Sequence, residues 1–345
     1  MSVLPSAVPF TYDEVNHIDL DAYIPSKVSI SKLPVIVIFH GGGMVAGSKK
    51  DALLPVWILE KVIPRDVLVI SANYRLLYPS TTSDMIADAH SLFAYLSSPA
   101  SGLAQMLGSR SLSLDLDNVA VVGVSGGNYV ARAAATLSSI VPRPKAWLGV
   151  YGMGNDFFLD HWVTEKETYP LALKIVQERL DDLLTNHGGK LSSEAPLFPD
   201  PALKGITDAE NRVGLFVQMH HDGTLDDYIF DTPGLSEALR ALPYDERLAA
   251  VPKDKAHLRL PITEHTSPAF FIHGTKDITV PIVESQNALG ELEKRGIKHG
   301  HAWVEGADHG LLDPSFIGPG PPARMKGWED AADKGIEWIM ESFKA

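Results

Sequence analysis

Two glycine clusters, each directly after an apolar run, constrain the fold of this chain more than any other feature. The run at 35–39 reads Val-Ile-Val-Ile-Phe and leads into a His-Gly-Gly-Gly cluster at 40–43. The run at 119–122 leads into Gly-Val-Ser-Gly-Gly at 123–127, and an alanine-rich segment follows at 128–140. Short apolar runs bounded by turn residues are typical of buried strands. The sequence therefore predicts two buried strands, the second turning sharply into a helix.

Strand-like runs alternate with helical patterns through the first half of the chain and again near its end. This alternation is typical of an α/β protein with a mainly parallel sheet. Strands are predicted at 7–23 (an opening pair), 34–39, 67–73, 118–124, 145–151, 268–273 and 299–304. Helices are predicted at about 84–98, 128–140, 281–295 and 324–343, where apolar residues recur at helical spacing.

The pattern changes between about 154 and 264, where strand-like runs stop and helical segments appear. One predicted helix covers about 168–186. Another begins at Thr207, with Glu210 completing a capping box, and a third begins at Thr232 with a proline next to it. This stretch is too long for a plain loop. We therefore expect residues 154–264 to form a helical cap inserted into an α/β core of residues 1–153 and 265–345.

Composition limits the classes of partner. The chain has 345 residues with 45% hydrophobic side chains and a net charge of −13, which suits a large globular domain and argues against a nucleic-acid partner. It has no cysteine and no Asn-x-Ser/Thr sequon. Residues 1–20 lack the features of a signal peptide, and the longest apolar runs are far too short for a membrane span. These features predict a cytoplasmic protein.

Ser125 lies at the centre of the second glycine cluster, between the predicted strand and helix. Gly123 and Gly127, two positions to either side, would let the strand and helix approach each other closely. Such a turn exposes a serine hydroxyl at a helix N-terminus, where the helix dipole favours a developing negative charge. The pair of clusters therefore predicts a serine hydrolase.

A serine nucleophile needs a base within hydrogen-bond reach, and the base needs an orienting acid. Asp277 and His309 are the best candidates, because each follows a predicted strand and they come after the serine in the order acid, then histidine. Glu305 or Asp308 could replace the acid, and His301 could replace the base.

Backbone N–H groups of the glycine clusters are expected to form an oxyanion hole. Gly126 follows the nucleophile, and Gly42 and Gly43 would add two further donors, with Gly41 as another candidate. Since these residues lack a Cβ atom, a substrate carbonyl could lie against the bare backbone. His40 is expected to hold this loop by hydrogen bonds.

Four apolar residues are candidates for an acyl pocket, although packing within the fold is an alternative role for each. They are Met44, Phe157, Trp162 and Met219. The pair of histidines at 220–221, with acidic residues nearby, matches no metal-binding template. We expect neither a metal nor a cofactor.

Together these motifs resemble the α/β-hydrolase superfamily, and within it the hormone-sensitive-lipase-like carboxylesterases, in the style of fungal members. The matching segments are 40–43, 73–76, 123–128, the turn at Asp277, and 306–310. Val124 and Gly126 depart from the aspartate and alanine that usually flank the nucleophile in that family.

The resemblance implies an α/β-hydrolase fold and hydrolysis of small-molecule carboxylic esters through an acyl-enzyme, with a preference for small to medium acyl groups. A lactonase, an amidase or a tailoring hydrolase of secondary metabolism would use the same site. A ligand-binding receptor or a non-hydrolytic scaffold on the same fold is the alternative from another class.

Overall fold

Eight strands form one sheet in the computed structural model, which describes residues 4–51, 54–167, 193–195, 197, 208–315 and 323–344. The strands are β1 (Val8–Asp13), β2 (Ile18–Tyr23), β3 (Lys32–Phe39), β4 (Leu68–Ala72), β5 (Ser113–Val124), β6 (Ala146–Val150), β7 (Ala269–Gly274) and β8 (His299–Val304). Their spatial order is β1-β2-β4-β3-β5-β6-β7-β8. β2 pairs antiparallel with β1 and β4, and every later pair is parallel. The predicted α/β class with a mainly parallel sheet is confirmed.

Helices cover both faces of the sheet. Those of the core are α1 (Val56–Val62), α2 (Thr82–Ser97), α3 (Gly102–Gly108), α4 (Asn128–Thr136), α10 (Val283–Lys294) and α11 (Trp328–Ser342). Alternate side chains of β3 supply two separate apolar cores: Val35 and Val37 face one, and Ile36 and Ile38 face the other. A strand buried on both faces reads as a continuous apolar run, which is why these strands could be predicted.

Three helices differ from the predictions by three or four residues at one end, and β5 begins at Ser113, five residues before the predicted 118. The helix after Ser125 ends at Thr136 because Leu137 is extended, with ψ 116°. The closing helix begins at Trp328 after Gly327, whose φ of +91° is left-handed, so the four preceding residues lie outside it. The helix expected from Thr232 begins instead at Leu235.

The Thr232 prediction was wrong because a tertiary contact caps that helix. The Thr232 hydroxyl donates to Phe230 O, whereas the carboxylate of Asp227 accepts from the N–H groups of Gly234 and Ser236 at 2.9 and 2.6 Å. The start of the helix is therefore set by a carboxylate seven residues earlier in the chain, which a local capping pattern does not reveal.

A long insertion separates β6 from β7. Its described helices are α5 (Asp160–Val163), α6 (Asp208–Asp222), α7 (Leu225–Ile229), α8 (Leu235–Arg240) and α9 (Tyr244–Ala250). The helix predicted at 168–186 and the capping threonine at 207 lie outside the described residues. None of the helices in the described ranges is long and apolar enough to cross a membrane.

Candidate active site

Ser125 occupies a strained turn between β5 and α4. Its φ of +48° is left-handed, which is unusual for a residue with a side chain. A Cβ atom at Gly123 would lie 2.3 Å from Asn128 Cα, and one at Gly127 would lie 2.2 Å from His40 O. The two glycines are therefore required for the close approach of strand, helix and glycine loop that presents the serine.

The glycine loop at 41–43 lies beside this turn. A Cβ atom at Gly41 would lie 3.2 Å from Ser125 Cβ, and one at Gly126 would lie 2.4 Å from Met44 N. Gly42 and Gly43 both have left-handed φ values, +115° and +61°. Among the described residues, the N–H groups of Gly42 and Gly43 have no hydrogen-bond acceptor. Unpaired N–H groups therefore lie next to the serine.

His309 and Asp277 complete a chain of contacts from the serine hydroxyl. Ser125 Oγ lies 2.9 Å from His309 Nε2, and His309 Nδ1 lies 2.8 Å from Asp277 Oδ2. The other carboxylate oxygen, Asp277 Oδ1, accepts from the N–H groups of Thr279 and Val280 at 3.0 and 2.8 Å. Burial alone would raise the pKa of the Asp277 carboxyl. The charge of His309 and the hydrogen bonds from His273 and His309 instead hold that pKa below its ordinary value.

The rival candidates lie away from this chain of contacts. Asp308 Oδ1 accepts from the N–H groups of His309 and Ile278 at 2.7 and 3.1 Å, so this carboxylate joins the two loops that carry His309 and Asp277. Glu305 is exposed. His301 is exposed on β8, where its ring stacks on Trp303.

His40 is buried below the glycine loop. Its Nδ1 donates to Gly41 O at 2.8 Å, since a carbonyl oxygen can only accept. Its ring stacks on Tyr74 with centroids 4.5 Å apart, and the Tyr74 hydroxyl donates to His40 O. Burial lowers the pKa of His40 to about 4, so the ring is neutral at physiological pH. Tyr74 belongs to the segment 73–76 that matches the family resemblance, but the sequence assigned this residue no role.

Helix α6 of the insertion packs against the same loop. The Arg212 guanidinium donates to the carbonyl oxygens of Val45, Leu77 and Tyr78 at 2.6 to 3.1 Å. One turn later on α6, Phe216 touches Gly43, where a Cβ atom would lie 2.6 Å from its ring. The insertion therefore supports the backbone that carries the unpaired N–H groups.

The four pocket candidates are all buried. Met44 follows the glycine loop, and Met219 lies on α6 near Phe216. Trp162 on α5 donates its indole N–H to the buried carboxyl of Glu284 at 2.7 Å. Phe157 packs against Tyr129, with ring centroids 6.0 Å apart.

Two polar groups near the site were missed by the sequence reasoning. Glu284, at the start of α10, also accepts from the N–H groups of Asn155 and Asp156 at 2.6 and 3.2 Å. Its burial raises its pKa to about 8. On α5, His161 donates from Nε2 to Thr279 O at 3.1 Å, beside the acid. Neither residue belongs to a motif, because each contact joins distant parts of the chain.

Solved structures with this architecture cover nearly the whole chain. The α/β hydrolase MGS-M1, from a deep-sea metagenome library, matches with a TM-score of 0.57 at 15% identity over 99% of both chains. The chain adopts the α/β-hydrolase fold. The thermostable carboxylesterase EstE1, from a metagenomic library, matches with a TM-score of 0.56 at 18% identity. The match covers 98% of this chain and 88% of EstE1. A fungal esterase from Rhizomucor miehei has a TM-score of 0.55 at 17% identity, with 99% and 86% covered.

Sequence comparisons agree with this fold assignment. The family model described as BD-FAE matches residues 20–142. "Probable carboxylesterase M8" of a Phoma species is 31% identical over 134 residues, which cover 37% of this chain and 42% of that protein. The non-reducing polyketide synthase Preu6 of Preussia isomera is 26% identical over 94% of this chain, and atr1 of Stereocaulon alpinum is 26% identical over 97%. The chain spans only 14% and 13% of those two synthases. The resemblance to α/β hydrolases and to carboxylesterases is confirmed.

Proposed function

We propose that this chain hydrolyses carboxylic esters of small molecules, with Ser125 as nucleophile, His309 as general base and Asp277 as the acid that orients the base. The observation that carries the proposal is the unbroken chain of contacts, 2.9 Å from Ser125 Oγ to His309 Nε2 and 2.8 Å from His309 Nδ1 to Asp277 Oδ2. These are the distances at which a histidine can take the serine proton.

In the acylation step, Ser125 Oγ attacks the ester carbonyl carbon while His309 Nε2 accepts the hydroxyl proton. Asp277 keeps the proton on Nδ1, so that Nε2 is the free base, and it stabilises the imidazolium that forms. The tetrahedral intermediate then expels the alcohol, which takes the proton from His309. Water repeats the sequence on the acyl-enzyme and releases the carboxylic acid and the free serine.

The oxyanion of each intermediate is proposed to accept hydrogen bonds from Gly42, Gly43 and Gly126, with Gly41 as a further candidate. The unpaired N–H groups of the glycine loop support this assignment, because they need no rearrangement to receive a charge. The departure from alanine to glycine at Gly126 has a structural reason here, since a Cβ atom would press on Met44 N.

We further propose that residues 154–264 act as a cap over a core of 1–153 and 265–345. Met44, Phe157, Trp162 and Met219 are the candidates for its acyl pocket. The packing of α6 on the glycine loop supports a cap that contributes to the site. A cytoplasmic location remains a prediction from the sequence.

A second candidate is a hydrolase that opens ester or lactone bonds of polyketides. The similarity to non-reducing polyketide synthases over 94% and 97% of this chain favours it. The catalytic steps would be unchanged, because a lactone is an internal ester. The specificity constant kcat/KM separates the two candidates: preference for an aryl polyketide ester or lactone over p-nitrophenyl butyrate supports the second, and the reverse order the first.

Labelling with a fluorophosphonate tests the shared chemistry. The probe phosphonylates an activated serine hydroxyl and releases fluoride, so intact mass should show one adduct on the wild type and none on Ser125→Ala. Ester turnover should vanish in the same variant. No adduct on folded wild type, or full labelling of the variant, would reject Ser125 as the nucleophile and favour a receptor or scaffold.

A further inference from the structure

A second histidine lies beside the buried acid. His273, at the end of β7, is fully buried, as is the Asp277 side chain. Its Nε2 lies 3.2 Å from Asp277 Oδ2, the same oxygen that faces His309. The carboxylate oxygen is therefore placed between two imidazole rings.

The hydrogen bonds of His273 determine where its proton lies. Nε2 is 2.9 Å from Val280 O, which can only accept, so Nε2 must be protonated. That N–H faces both Val280 O and Asp277 Oδ2. Nδ1 lies 2.8 Å from Ser285 Oγ on α10, and Ser285 is also fully buried. Ser285 therefore fixes the ring from the side opposite the acid.

Both backbone polar groups of Val280, in the turn that follows Asp277, make hydrogen bonds. Val280 N donates to Asp277 Oδ1 at 2.8 Å, and Val280 O accepts from His273 at 2.9 Å. Rotation of the carboxylate would break the first contact, and displacement of the turn would break the second. His273 thus stabilises the orientation in which Asp277 Oδ2 faces His309.

We propose that His273, held by Ser285, is a positioning residue that orients the Asp277 carboxylate and compensates part of its charge throughout the reaction. This inference rests on the proposed function, in which Asp277 orients the base. His309 and His273 both lower the pKa of the Asp277 carboxyl, one from each side of Oδ2. His309 changes its charge during turnover, whereas His273 remains a constant donor.

Substitution of His273 tests the proposal against the matched control His301→Phe, which alters an exposed histidine on β8. His273→Phe should lower kcat roughly 10- to 100-fold, the worth of one charge-assisted hydrogen bond, while KM stays within about threefold. The acidic limb of the kcat/KM profile should move to higher pH by about half a unit. The reason is that Asp277, no longer compensated, attracts a proton on His309 more strongly.

His273→Gln provides the rescue, because the glutamine amide can donate to Val280 O from nearly the same position. Most of the lost kcat and the original acidic limb should return. Equal kcat and equal pH profiles for His273→Phe and wild type would overturn the proposal, as would a glutamine variant no better than phenylalanine. If His273→Phe does not fold, Ser285→Ala replaces it, with about a fivefold loss of kcat and a limb shift in the same direction; an unchanged profile there also overturns the proposal.

Asp277→Asn separates this inference from the proposed function. If that variant keeps full activity, the assignment of the acid is wrong. If it is inactive while folded His273→Phe matches the wild type, the acid stands and only the role of His273 is rejected.

Discussion

Adding one methyl group at Gly126 should disable the proposed oxyanion hole while leaving the side chains of Ser125, Asp277 and His309 untouched. The new Cβ atom would lie 2.4 Å from Met44 N and 2.9 Å from Gly43 N, whereas ordinary contacts begin at 3.4 Å. The glycine loop must therefore move away by about 1 Å. A misplacement of reacting groups by that distance lowers the catalytic rate roughly 100-fold. Loss of one oxyanion donor costs about 3 kcal/mol, or 100- to 1,000-fold in kcat.

Steady-state hydrolysis of p-nitrophenyl butyrate by Gly126→Ala measures the effect, at a temperature below the unfolding transition of the variant. Overpacking of this kind destabilises by about 1–3 kcal/mol, so thermal unfolding is recorded alongside. Gly290→Ala is the matched control, because a Cβ atom there meets nothing within 4 Å and the position is helical. The control should keep its kcat and gain up to about 1 kcal/mol of stability. A Gly126→Ala kcat within threefold of the wild type would show that this crowding does not reach the reacting groups.

Three further predictions concern the groups that support the site. Arg212→Met leaves three carbonyl oxygens without their buried donor, and urea unfolding should show a loss of about 2–3 kcal/mol; an unchanged midpoint contradicts this. Burial raises the pKa of Glu284 from 4.5 to about 8. Glu284 therefore adds stability that is fully present below pH 4.5 and is lost as the pH rises through 8, a change in unfolding free energy on the order of 5 kcal/mol. Glu284→Gln should flatten the slope of unfolding free energy against pH in that window, and parallel slopes would reject the assignment. Asp308→Ala removes the acceptor of the His309 and Ile278 N–H groups and should lower kcat about tenfold at constant KM. Wild-type kinetics would show that these two hydrogen bonds are not needed for turnover.

The sheet and the order of its catalytic candidates were predictable because both depend on local sequence. A strand buried on both faces reads as an apolar run, and the glycines at 123 and 127 are required by contacts of 2.3 and 2.2 Å within one turn. Asp277 and His309 could be chosen because parallel strands deliver their following loops to one edge of the sheet. The hydrogen bond between them was inferred from this topology.

The contacts that the sequence could not predict all join distant segments. Asp227 caps α8 in place of Thr232 through side-chain geometry that a local motif does not record. Glu284 and Trp162 lie more than a hundred residues apart and meet only because the insertion packs on α10. His273 reads as one more strand residue, and its proximity to Asp277 follows from the turn that the chain makes after β7.

The position of the insertion between β6 and β7 has a consequence for how the protein folds. Leu148 pairs with Phe270, so the sheet closes across about 120 residues, and long-range pairing of this kind is slow to form. The proposed nucleophile, Ser125, precedes this gap, whereas Asp277 and His309 follow it. During synthesis the serine turn therefore leaves the ribosome well before Asp277 and His309, and a partly made chain that ends in the insertion lacks the proposed base. Under the proposed function, esterase activity should first appear when the two halves of the sheet pair, however early the first half becomes compact.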